Sequence, residues 1–212
     1  MPPVTHARIP PTSPDLLDDP GSAVYPARED TFLLLPFARV RRGTSFLEVG
    51  TGSGTIALEA ARRGARVVAT DRNPHALRHL ARLSRAENLG IEAVRTDLAR
   101  GLGRFDRVVF NPPYLPTRPE ERDPDRWHNL ALDGGPDGCR VAARYVAELA
   151  DHLSPRGNGV LLTSTVQSPS ALAKVWAGWR ARGGTAEIVA QRPLEGERLE
   201  VWRLVPKRAR TA

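Results

Sequence analysis

From residue 44 onward this chain alternates strand-like and helix-like stretches, and that alternation is what most narrows its fold. Thr44 to Val49 reads as a first strand, followed by a glycine loop and a helix over about 53–63 that stops at Gly64. Arg66 to Thr70 is a second strand; Asn73 and Pro74 then supply an N-cap and a first-turn proline for a helix that Gly90 ends. Ile91 to Thr96 is a weaker third strand and Phe105 to Phe110 a fourth. Beyond a long polar loop, 114–135, Val141, Tyr145, Leu149 and Leu153 recur at helical spacing, joined by Ala142, Val146 and Ala150. Gly159 to Thr163 is a fifth strand, and Ser168-Pro169 opens a helix with Leu172, Val175, Trp176 and Trp179 on one face. Glu187 to Ala190 and Leu199 to Val205, joined through Arg192 to Arg198, follow without a helix between them and must be antiparallel neighbours. The expected fold class is α/β: a Rossmann-like, seven-stranded, mostly parallel sheet with a C-terminal antiparallel hairpin and helices on both faces.

The 212 residues suit one such domain. Residues 1–26 hold seven of the nineteen prolines and no apolar period, so they are expected to form an extended arm. The domain proper is expected over 27–206, with 207–212 a basic tail. Asp30 or Thr31 is expected to cap a short helix beginning at Phe32. The longest apolar run, Phe32 to Ala38, is broken by Pro36 and is too short to cross a bilayer. With no export-type leader in view, the expected location is the cytoplasm, away from membranes. Cys139 is the single cysteine, which excludes an internal disulfide and argues against a cysteine zinc site. His75 and His79 lie four apart but have no third ligand, so no metal site is expected. The formal charge of +7 favours acidic partners such as nucleic acid or ribonucleoprotein, yet the arginines are spread over many segments. Charge alone does not choose a substrate.

Chemistry is concentrated at strand ends. Glu48-Val49-Gly50-Thr51-Gly52-Ser53-Gly54 lies between the first strand and its helix, where glycines let a ligand rest on the main chain and free amides favour a carboxylate. A dinucleotide fingerprint would place a glycine where Thr55 stands, so a nicotinamide cofactor is the weaker reading. Asp71, 21 positions beyond Gly50 at the end of the second strand, is placed to accept from both hydroxyls of a ribose. Asp97, at the end of the third strand, is placed to accept from an exocyclic amine. The fourth strand ends in Asn111-Pro112-Pro113-Tyr114, where two prolines force the chain out of the sheet. An amide oxygen, a proline carbonyl and an aromatic ring then stand at the ligand-binding rim of an open α/β sheet. Two acceptors of this kind can hold both N–H groups of a planar nitrogen and aim its lone pair at a group being transferred.

These motifs together resemble the class I S-adenosylmethionine-dependent methyltransferases, in the branch that methylates amide or amino nitrogens. Val24-Tyr25-Pro26-Ala27-Arg28-Glu29-Asp30-Thr31 is similar to the amino-terminal signature of the HemK2/Mtq2-type protein glutamine-N5 methyltransferases. Leu132-Asp133-Gly134-Gly135-Pro136-Asp137-Gly138, His152 to Gly157 and Glu197-Arg198-Leu199-Glu200 fall where that family has similar stretches. The resemblance implies S-adenosyl-L-methionine as cofactor. It puts Glu48, Gly50 and Gly52 at its methionine part, Asp71 at the ribose, Asp97 at the adenine and Thr31 closing over it, and counts Asn111 among the cofactor-binding residues as well. It implies that Asn111 and the Pro112 carbonyl take the target nitrogen, with Tyr114 flanking it. The implied substrate is a release factor with a Gly-Gly-Gln loop. The implied partner is a small zinc-binding activator that pairs with the edge of the third strand. An adenine or other amine in nucleic acid, or a small metabolite amine, keeps the same chemistry with another acceptor; a non-catalytic assembly subunit is the remaining alternative. The charged loop 115–130 matches no part of the pattern.

Overall fold

The computed structural model describes residues 23–207. Residues 1–22 of the expected arm and 208–212 of the expected tail lie outside the described residues. Residues 23–28 enter without helix or strand and lead into α1 (Glu29–Leu34), a 3-10 turn (Leu35–Ala38) and β1 (Ser45–Val49). There follow α2 (Thr55–Arg62), β2 (Arg66–Asp71), α3 (Pro74–Ala86), β3 (Ile91–Arg95) and β4 (Phe105–Phe110). The second half comprises α4 (Arg126–Leu132), α5 (Arg140–Glu148), β5 (Leu153–Ser164), α6 (Pro169–Ala181), β6 (Thr185–Leu194) and β7 (Glu197–Val205).

The seven strands form one sheet in the order β3-β2-β1-β4-β5-β7-β6. β1 to β5 run parallel, while β7 is antiparallel to both β5 and β6. Alternation along β1 feeds two cores. Phe46 joins Leu34, Ile56, Ala57, Leu80, Val109 and Val160 under α1, α2 and α3, whereas Leu47 and Val49 join Val108, Tyr145, Leu161, Trp176 and Trp179 under α5 and α6. The sheet is therefore covered on both faces, as parallel sheets require. Trp176 and Trp179, 5% and 1% exposed, are core beneath the sheet.

Several expected boundaries move, each for a local reason. Asp30 and Thr31 do not cap α1. Arg28 is its N-cap, in extended conformation, and the Phe32 amide donates to the Arg28 carbonyl at 2.9 Å, so Asp30 and Thr31 fall inside the first turn. α3 stops at Ala86 rather than running to Gly90, because Asn88 already takes the left-handed conformation at φ 52. The polar loop 114–135 contains a 3-10 turn (Pro119–Glu121) and α4, whose N-cap Asp125 accepts from the Trp127 amide. Leu153 belongs to β5, not to the helix before it, and the last hairpin is longer than expected, turning on Glu195 and Gly196 alone. Pairing of β6 with β7 continues to Pro193 opposite Arg198 and Leu194 opposite Glu197, so the ladder outweighs the loop signal of Pro193.

Candidate active site

In the sheet order β1 is flanked by β2 and β4, and the chain reverses its direction of growth between β1 and β4. Open α/β sheets leave a crevice outside the carboxyl ends at such a point. Val49 and Phe110, the last residues of β1 and β4, are register partners. The glycine loop and Asn111-Pro112-Pro113-Tyr114 therefore leave the sheet side by side, into a cleft of about 1100 Å³. All the residues singled out from sequence line this cleft: Thr31, Glu48, Gly50, Gly52, Asp71, Asp97, Asn111, Pro112 and Tyr114.

Gly50 has φ 62, and a Cβ there would lie 3.0 Å from the Phe110 ring. A side chain would push the loop away from β4, which is why the first glycine of the loop is needed. The Thr51 amide bonds the Thr70 carbonyl at 2.9 Å and ties the loop to β2. Glu48 is 4% exposed, and its Oε2 accepts from the Thr51 hydroxyl at 2.7 Å and the Ala57 amide at 2.9 Å. Burial pushes this carboxyl up to about 8, against the pull of those two bonds. The native state thus holds a proton on Glu48 that the unfolded chain releases near pH 4.5. The ligand-free protein should lose stability as pH rises from about 4.5 to about 8 and level off above. Thermal unfolding at pH 5 and pH 8 checks this: Glu48→Gln should make the difference smaller.

Asp71 does more than the sequence implied. Its Oδ2 accepts from the Gly52 amide at 3.0 Å and its Oδ1 from the Asn73 amide at 2.8 Å, so one carboxylate ties the glycine loop to the start of α3. Burial raises its pKa in spite of these bonds. Asn73 caps α3 as expected, accepting from the His75 amide at 2.9 Å, and also donates to the Ala23 carbonyl. Asp97 stands on the rim, its Oδ2 paired with Arg144 at 2.7 Å in an exposed ion pair and its Oδ1 without a hydrogen-bond partner among the described residues. Leu98 beside it is left-handed at φ 54 and its carbonyl accepts from Thr70 Oγ1 at 2.9 Å; a bulky residue in that conformation is strained.

At the other end, Asn111 Oδ1 is buried and has no hydrogen-bond partner among the described residues. Buried polar atoms are normally paired, and an orphan in a cleft points to a ligand donor. Tyr114 is half-buried, and its phenol is pushed up first by burial, then by Asp30 and Glu197. Asp30 is itself 4% exposed and accepts from the Thr31 amide at 2.6 Å and the Tyr25 hydroxyl at 3.3 Å. The segment 132–138 braces this end from behind. The Leu115 amide donates to the Leu132 carbonyl, Gly134 to Leu115, and Thr117 to Gly135, at 3.1, 2.9 and 2.9 Å. Gly138 has φ 72 and packs so closely on the Tyr114 carbonyl that a Cβ would collide with it. Gly138→Ala should cost about 1–3 kcal/mol of stability and shift Tyr114, lowering transfer while sparing cofactor affinity; a melting curve and a rate measurement check both.

The charged loop that carried no assignment is ordered by charge pairing. Asp133 receives Arg122 and Arg140, each at 3.0 Å. Its burial opposes ionisation, but the Gly135 amide and Arg140 outweigh this and hold the carboxyl low. α4 thereby brings Trp127 across the cleft to the start of α3, edge-on to His75 with ring centroids 5.6 Å apart, while Arg126 lies over the indole at 4.1 Å. Sequence reading missed Trp127, Arg144 and Glu197 as cleft residues. Glu197 lies in a stretch quoted above and Arg144 within the α5 period, but neither pattern says what the side chain faces, and only the approach of distant segments brings the three to the cleft.

A family model for the methyltransferase small domain matches residues 28–129. A putative protein N5-glutamine methyltransferase of Methanocaldococcus jannaschii is 36% identical over 145 residues, covering 68% of this chain and 73% of that protein. The chain belongs to the HemK2/Mtq2-type family of protein glutamine-N5 methyltransferases. Methyltransferase HEMK2 of Homo sapiens is 36% identical over 78% of this chain and 83% of its own length. The solved E. cuniculi Mtq2–Trm112 complex, responsible for the methylation of the eRF1 translation termination factor, superposes with a TM-score of 0.67 at 27% identity, over 88% of this chain and 100% of that one. As a HemK2/Mtq2-type member the protein is an S-adenosylmethionine-dependent methyltransferase. Among the described residues no helix is long and apolar enough to cross a membrane.

Proposed function

We propose that this protein transfers a methyl group to the side-chain amide nitrogen of a glutamine in a translation release factor. The observation that carries the reading is the buried Asn111 Oδ1, without a hydrogen-bond partner among the described residues and one strand away from the glycine loop. S-adenosyl-L-methionine, when bound, supplies a methyl group on a sulfonium, an already reactive electrophile. The residues present fit it: Glu48, Gly50 and Gly52 would face its methionine part, Asp71 its ribose, the open oxygen of Asp97 its adenine, and Thr31 would close over it.

Asn111 Oδ1 and the Pro112 carbonyl accept the two N–H groups of the glutamine amide. An amide nitrogen is a poor nucleophile because its lone pair is delocalised into the carbonyl. Holding both hydrogens turns the lone pair toward the donor and stabilises the positive charge that grows on nitrogen. Alignment of this kind can supply as much as roughly 7–11 kcal/mol, with electrostatic stabilisation in addition. Tyr114 flanks the acceptor, and α4 with Trp127 limits water access.

The test is incubation with methyl-labelled cofactor and three acceptors: a release factor, total RNA and DNA. Label is expected in the release factor; label in nucleic acid with none in protein removes the reading. β3 lies at the sheet's edge with Glu92, Ala93 and Arg95 exposed. That free edge is where a small partner subunit, such as the one in the E. cuniculi complex, would add.

A further inference from the structure

Along the carboxyl rim of the sheet the neighbours run β1, β4, β5, β7. The glycine loop follows β1, Asn111 follows β4, Ser164 ends β5 and Glu197 begins β7. Glu197 thus stands on the side of Asn111 away from the glycine loop, where the body of an acceptor has to lie, and its side chain lines the cleft. It is held there rigidly. Ser164, 1% exposed, donates its hydroxyl to Glu197 Oε2, and its own amide is fixed by Gln167 Oε1 at 2.8 Å. Gln167, also 1% exposed, donates through Nε2 to the Gly138 carbonyl at 2.7 Å, and Gly138 rests on the Tyr114 carbonyl. One continuous chain of contacts therefore sets a carboxylate against the acceptor clamp. Its second oxygen, Oε1, has no hydrogen-bond partner among the described residues. The electrostatics agree: Tyr114 feels Asp30, Glu197 and Glu29 as negative neighbours, opposed by Arg28.

We infer that Glu197 is a specificity-determining residue whose open carboxylate oxygen receives a main-chain N–H of the substrate segment next to the target glutamine. This rests on the glutamine reading above and deepens it. A carboxylate fixed in this place accepts from a peptide loop, whose glycine amides are unhindered, and repels a phosphodiester chain. Ser164 is its positioning residue.

The experiment compares wild type, Glu197→Gln, Glu197→Ala and Ser164→Ala, measuring KM and kcat with release factor, cofactor affinity by calorimetry, and melting temperature. Glu197→Gln keeps the shape and an amide oxygen, and guards against a folding defect. Glu197→Ala is expected to raise the release-factor KM about tenfold or more, consistent with loss of a charge-assisted bond. Its kcat and cofactor affinity should stay within about threefold, with Glu197→Gln and Ser164→Ala intermediate. An unchanged KM in Glu197→Ala overturns the inference alone, as does a parallel loss of cofactor affinity and melting temperature in both Glu197 variants. Wild type that labels RNA and not release factor overturns the glutamine reading, and this inference with it.

Discussion

Asn111→Ala should leave a folded protein that binds cofactor within a few fold of wild type and transfers methyl groups at least 10²–10³-fold more slowly. The magnitude is that of removing one preorganised polar group from a reacting centre, about 2.7–4 kcal/mol. Folding should be spared because Asn111 Oδ1 makes no bond within the described protein, so its removal orphans no partner. Cofactor affinity should be spared because the glycine loop is held by Thr70 and Asp71, not by Asn111. Single-turnover rates with cofactor and release factor in excess check the first part, calorimetry with cofactor alone the second. A fully active variant would refute the acceptor clamp.

Asp71→Ala should act in the opposite sense, weakening cofactor binding first. A charge-assisted bond to a ribose hydroxyl is worth roughly 1.5–3 kcal/mol, or about 10- to 150-fold in affinity. The structure adds a second cost. The Gly52 and Asn73 amides lose their shared acceptor, so the glycine loop and the start of α3 loosen together. Melting temperature should therefore fall along with affinity, while kcat at saturating cofactor changes little. Asp71→Asn separates the two effects: its amide oxygen can still serve Asn73, but its NH₂ group meets the Gly52 N–H donor to donor. Affinity measured for both variants, with melting curves, checks the order of effects; equal loss of kcat and unchanged affinity would assign Asp71 elsewhere.

The place of Asn111-Pro112-Pro113-Tyr114 in the cleft was readable from residues because it is set locally. Asn111 to Tyr114 follow one apolar strand directly, and proline geometry forces the exit. The glycine loop and Asp71 were readable for a similar reason, since each lies at the end of a strand whose period marks it. Asp97 was only half readable: its place on the rim follows from β3, but Arg144, which takes one of its oxygens, comes from α5, 47 residues away. Asp30 was misplaced as a cap because a cap is set by backbone dihedrals at Arg28, and Asp30's bond from Tyr25 depends on how the preceding segment lies.

Periodicity and strand-end punctuation by themselves determined that this chain is a doubly covered α/β sheet closed by an antiparallel hairpin, with its chemistry at carboxyl ends. They act over neighbouring residues, where side-chain alternation and proline or glycine constraints are expressed directly. Only the tertiary structure decided what faces that chemistry. Trp127 on His75, Arg144 on Asp97 and Glu197 anchored by Ser164 and Gln167 are contacts between distant segments. Charged and polar side chains outside periodic elements carry no signal of their partners until packing brings them within hydrogen-bond reach.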